Sequence, residues 1–91
     1  MSVVALPDPE LVPPRVGFRL GRRFGSAVVR NTFRRRVRAL LRDPATAIDL
    51  APGAYLIGAS PAAATLRGPE LRRSLERLFA AVPGAVRRSV P

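Results

Sequence analysis

Residues 15–42, RVGFRLGRRFGSAVVRNTFRRRVRALLR, run three patterns together without a break. From Arg15 to Leu20 the residues alternate, with Val16, Phe18 and Leu20 on one side and Arg15, Gly17 and Arg19 on the other. That period of two predicts a strand with one buried face, and it turns Arg19 away from the core. Gly21 to Ser26 then brackets the pair Arg22 and Arg23 and the ring of Phe24 with glycines, which reads as a turn. Ser26 is suited to cap a helix predicted over residues 27–42. At about 100° per residue, Val29, Phe33, Val37, Leu40 and Leu41 share one stripe of that helix. Asn31, Arg34, Arg35, Arg38 and Arg42 gather opposite.

Beyond this stretch the punctuation is clear. Asp43-Pro44 ends the helix, and a loop through Pro52-Gly53 leads into Ala54–Ala59, an apolar run that reads as a buried strand stopped by Ser60-Pro61. Gly68-Pro69 opens a second helix whose Leu71, Leu75, Leu78, Phe79 and Val82 form an apolar face, with Glu70 near the positive end of its dipole. Pro83-Gly84 stops it, and residues 83–91, with Arg87 and Arg88, are expected to be a flexible basic tail. At the other end, residues 1–14 read as irregular, with a short strand possible at Val3 to Leu6 before Pro7-Asp-Pro. One α/β domain over residues 15–82 is therefore expected.

A chain of 91 residues with 47% hydrophobic content suffices for one small domain, which buries about 60–65% of its unfolded surface. All sixteen basic residues are arginine and stand against six carboxylates, giving a net charge of +10. Such a balance calls for a polyanionic partner. Arginine pairs with phosphate through parallel N–H donors and stacks on bases, which suits RNA, although genome base composition explains the missing lysine equally well. The chain has neither cysteine nor histidine. Disulfides, thiol catalysis and a zinc site thus lack their ligands, and a reducing cytoplasm is permitted. No export signal or apolar run of membrane-spanning length is visible.

Residues 15–42 hold at least nine arginines and no carboxylate, so the repulsion on this face needs an external anion to relieve it. Nucleic acid is favoured over a membrane surface, because the helix lacks tryptophan and its apolar stripe is needed for the core. An acidic protein partner stays open. Phe18 reads more readily as core than as a base-stacking platform, Phe24 is balanced between the two, and Tyr55 reads as packing with a local partner for its hydroxyl. Asn31 has a case for contacting RNA or a hydrated metal, while Ser26 reads as a cap. Asp8, Glu10, Asp43, Asp49, Glu70 and Glu76 are dispersed. Acid–base or metal-assisted hydrolysis by this chain alone is therefore not expected.

The strand start Arg15-Val-Gly-Phe18, the pair Arg22-Arg23 before Gly25, and Ala27-Val-Val-Arg-Asn31 leading to Arg34-Arg35-Arg36 and Arg38 resemble, in order and spacing, the signature region of the bacterial ribonuclease P protein family. The family's RNR element, Arg-Asn-Arg followed by a Lys-Arg pair and a further Arg, corresponds to Arg30, Asn31, Thr32, Arg34, Arg35 and Arg38, with Thr32 replacing the third member. Pro52 to Pro61 resembles the family's final strand, with Ser60 where arginine is common. The resemblance covers residues 3–80. It implies an α/β sandwich with a small mixed sheet, two helices and a left-handed βαβ crossover, against the usual right-handed rule. It also implies that the chain is short at its N-terminus, without the family's first helix and strand.

By the same resemblance, the chain is the protein subunit of the ribonuclease P holoenzyme, an endonuclease that removes the 5′ leader of precursor tRNA in the cytoplasm. The catalytic RNA cleaves with Mg²⁺, and the protein itself holds no cofactor. Contacts to the catalytic RNA fall to Arg22, Arg23, Arg30, Asn31, Arg34, Arg35 and Arg38, and contacts to the leader to Phe18 and Arg19. A second reading, a non-catalytic RNA-binding or ribosome-associated module of similar fold, remains beside it.

Overall fold

The computed structural model describes residues 1–87. Strands β1 (Ser2–Pro7), β2 (Arg15–Arg19) and β3 (Gly53–Gly58) form one sheet, and helices α1 (Ala27–Arg42) and α2 (Gly68–Ala80) carry most of the remaining regular structure. Short 3-10 turns occupy Arg22–Phe24 and Pro61–Thr65. The sheet order is β1-β3-β2, so the last strand in sequence lies in the middle. β1 runs antiparallel to β3, from Ser2 opposite Gly58 to Pro7 opposite Gly53. β2 runs parallel to β3, from Arg15 opposite Ala54 to Arg19 opposite Gly58. The sheet is therefore mixed, and α1 is the crossover between its two parallel strands.

Strand alternation sorts the sheet into two unlike faces. Val3, Ala5, Val16 and Phe18 pack against the core built on Tyr55 and Ile57 of the central strand. Both helices cover this side: Phe33 of α1 meets Phe18 with ring centroids 6.4 Å apart, and Phe79 of α2 meets Tyr55 at 5.8 Å. Leu71, Leu75 and Phe79 are fully buried at the i, i+4, i+8 positions of α2, each contributing about 1.5–3 kcal/mol of transfer energy. On the opposite face Val4, Leu6 and Leu56 remain 60%, 66% and 41% exposed.

The local signals act as their chemistry predicts. The Ser26 hydroxyl accepts from the Val29 amide at 3.3 Å and starts α1 at the expected residue. At α2 the Glu70 carboxylate reaches back to the Arg67 amide at 3.1 Å. The Tyr55 hydroxyl donates to the Ala51 carbonyl at 2.7 Å. Three expectations change. Residues 2–7 pair along the full length of β3, so this strand belongs to the domain rather than to an irregular leader. Val29 is 39% exposed, because the first turn of α1 overhangs the end of the core. The tail is not free as far as residue 87: Ala85 is buried, Val86 bridges to Leu50, and the Arg87 amide donates to the Asp49 carbonyl at 2.7 Å. The rest of that tail, residues 88–91, lies outside the described residues.

Candidate RNA interface

The exposed side of α1 is a ladder of guanidinia. Arg34, Arg38 and Arg42 follow one another at steps of four with Asn31 and Arg35 beside them, so the helix brings them onto one surface, while Arg30, one turn before Arg34, is half-buried at its edge. Asn31, Arg34, Arg35, Arg38 and Arg42 line a shallow groove along it. The groove is ordered from within: the Asn31 side-chain oxygen accepts from Arg34 at 2.8 Å, fixing that guanidinium. Asn31 thus orients an arginine and keeps its amide donors for an outside acceptor.

Arg38 is anchored at the other border of the ladder. Its guanidinium lies 5.1 Å from the centroid of the Phe18 ring and donates to the Val16 carbonyl at 3.3 Å, tying α1 to the edge strand β2. A cation over a ring is worth about 0.5–1 kcal/mol at an exposed site. Arg22 and Arg23 extend the basic surface beyond the helix start, both exposed on the turn before Ser26. Phe24 between them and Gly25 is 4% exposed and packs on Phe33 at 4.9 Å. This decides its balanced reading for core: the ring pins the basic turn and has no free face for a base.

The two residues assigned to the leader do not meet. Phe18 and Arg19 are neighbours on β2 and leave the sheet on opposite sides. Phe18 is half-buried among Phe33 and Arg38, on the helix side. Arg19 is exposed and shares the open side with Arg15, Gly17 and Leu56. A strand laid on the open face would meet Arg19 and miss Phe18.

Sequence reasoning missed Arg36. It is half-buried and donates to the main-chain carbonyls of Ala64 and Leu66, bracing α1 against the turn that precedes α2. The signal was present, since Arg36 stands three residues after Phe33 and one before Val37, on the flank of the apolar stripe. Four carboxylates are engaged by backbone amides. Asp8, Asp43, Glu70 and Glu76 accept from the backbone amides of Glu10, Ala45, Arg67 and Ala47. Among the described residues no three potential metal ligands of the His, Cys, Asp and Glu types converge, and no helix is long and apolar enough to cross a membrane.

Comparison with known proteins agrees with this geometry. The sequence model of the family described as Ribonuclease P matches residues 1–82. The chain is 43% identical over 65 residues to the ribonuclease P protein component of Beutenbergia cavernae, covering 70% of this chain and 53% of that protein. It is 40% identical over 76 residues to the corresponding protein of a Nocardioides species, covering 81% of this chain and 62% of the relative. The chain thus spans a little over half the length of these curated relatives. A solved structure of the Staphylococcus aureus RNase P protein superposes with a TM-score of 0.73 at 19% identity, over 91% of this chain and 74% of that one, a likeness of fold. With the family match over residues 1–82 and the basic helix in its expected place, this chain belongs to the ribonuclease P protein family.

Proposed function

We propose that this chain serves as the protein subunit of ribonuclease P, binding the catalytic RNA and assisting endonucleolytic removal of the 5′ leader from precursor tRNA in the cytoplasm. The observation that carries this reading is the ladder of Arg30, Arg34, Arg35 and Arg38, continued by Arg22 and Arg23, on a surface without a carboxylate from residue 15 to 42. Each phosphate it neutralises releases condensed counterions, so two RNAs can approach where they would otherwise repel. Bond cleavage, with Mg²⁺, belongs to the RNA subunit. This chain contributes charge and position: four of its carboxylates are engaged with backbone amides, and it has no histidine or cysteine to act as acid, base or nucleophile. Arg15 and Arg19, on the open face of the sheet, are the residues we assign to the leader. Phe18 supports Arg38 from behind.

Reconstitution tests the proposal. Together with the catalytic RNA from the same source, the chain should raise cleavage of precursor tRNA at low Mg²⁺, while RNA-free protein should cleave nothing. Replacing Arg34 and Arg35 by alanine should lower affinity for that RNA and flatten the plot of log affinity against log salt by about 1.5–2 units. An unchanged slope with native circular dichroism would mean that the basic face is merely solvated.

A further inference from the structure

The C-terminal half of α1 borders a second feature, a recess on the side where residues 85–87 dock. The Ala51 amide donates to the Ala85 carbonyl at 2.8 Å and the Arg87 amide to the Asp49 carbonyl at 2.7 Å, so residues 85–87 are held beside the loop that leads into β3. Between this segment and α1 lies a cavity of about 370 Å³ whose walls include Leu41 and Ile48, with Arg38, Arg42, Arg87 and Asp49 around it. Main-chain carbonyls steady two of the three guanidinia: Arg38 donates to Val16 at 3.3 Å and Arg87 to Leu50 at 3.4 Å. A guanidinium has five N–H donors, so each keeps several for a ligand.

We infer that this recess takes one unstacked nucleotide, its phosphate on Arg42 and Arg87 and its base against Leu41 and Ile48. Three cations against one carboxylate select an anion. The aliphatic wall has no use for inorganic phosphate, but it suits a flat base, over which a guanidinium also stacks. The volume lies near the lower end of the ~300–1,000 Å³ typical of small-molecule sites, which fits a single nucleotide. Paired RNA keeps its bases stacked and cannot fill the hollow. Asp49 supplies an acceptor for an exocyclic amine, so guanine, adenine or cytosine is favoured over uracil. The inference deepens the RNA-binding reading, because Arg38 and Arg42 belong to both the recess and the helix groove.

The test is a titration of the whole chain with GMP, UMP, ribose 5-phosphate and inorganic phosphate, followed through the methyl signals of Ile48 and Leu41. GMP should move these signals and bind roughly fivefold or more tightly than ribose 5-phosphate, with UMP weaker than GMP. Arg42→Ala and Arg87→Ala should each weaken GMP by a similar factor, whereas Arg73→Ala, on the exposed side of α2, should not. Arg42 is exposed at the helix end, so its variant keeps the test valid should Arg87→Ala loosen the docked segment. A hairpin with one bulged guanosine, set against its fully paired counterpart, identifies the source. Competition by the bulge points to a nucleotide extruded from RNA, and binding of GMP alone points to a free nucleotide. Equal binding of ribose 5-phosphate and GMP, with the Ile48 signals unmoved, overturns the inference. Because GMP binding is measured without RNA, its failure is distinct from failure of the Arg34 and Arg35 variant to weaken RNA binding.

Discussion

Adjacent arginines on α1 have different tasks. Arg35 is exposed on the ladder, whereas the next residue, Arg36, reaches the carbonyls of Ala64 and Leu66. Removing Arg36 leaves two partly buried acceptors without a donor, and hydrogen bonds to charged groups are worth about 1.5–3 kcal/mol. Arg36→Ala should therefore lower unfolding stability by about that amount and leave the salt slope of RNA binding nearly unchanged, while Arg35→Ala should do the reverse. Denaturant titration beside binding at several salt concentrations separates the two. Tyr55 gives a residue-scale pH effect. Burial pushes its phenol above the ordinary value of 10.0, against the opposing pull of Arg87. The folded state thus favours the protonated phenol, and its contribution is complete below pH ~10 and falls as pH rises through the folded value. Tyr55→Phe should cost about 0.5–1.5 kcal/mol at neutral pH through the lost bond to Ala51, and should flatten the alkaline decline in melting temperature.

Among the elements, the central strand is the most constrained. Gly53 has φ 150°, and a Cβ there would lie 2.7 Å from the Leu6 carbonyl oxygen and 3.1 Å from the Pro7 Cα. Both obstacles are backbone, so Gly53→Ala must push β1 off β3 or bend the strand. The loss should exceed the ~1 kcal/mol of an ordinary strained substitution, and hydrogen exchange should show it first in β1. Local chemistry made much of this architecture legible. Ser26 and Asp43 bound α1 at both ends, and Gly68-Pro69 opens α2 as read. Alternation from Arg15 to Arg19 gives β2 and its faces. What sequence left open depends on partners distant in the chain. Nothing near Val3 reveals that β1 will pair with residues 53–58, and nothing near Arg87 announces the Asp49 carbonyl. The recess was invisible for the same reason, since its arginines come from α1 and from the segment after α2. The basic ladder lies within one helix and could be drawn on a wheel.

At the scale of the whole molecule, two surfaces should respond to salt in opposite ways. The sheet face away from the helices exposes Val4, Leu6 and Leu56, and β1 is an edge strand, so this side offers both an apolar stripe and unpaired backbone groups. A net charge of +10 opposes contact between copies. Arg15 and Arg19 lie on that same open side, which adds local repulsion. At low ionic strength the repulsion should keep the protein monomeric. Raising salt from 0.1 to 1 M shortens the screening length from about 10 to about 3 Å, which removes most of the repulsion and leaves the apolar attraction intact. RNA affinity should fall over that range while self-association rises. Sedimentation velocity of RNA-free protein at both salt concentrations measures the second effect. Leu6→Thr combined with Leu56→Thr should abolish it and leave affinity for the catalytic RNA unchanged at low salt, because both side chains lie across the sheet from the arginine ladder. Salt-independent association, or association that survives both threonines, would mean that contact between copies uses another surface.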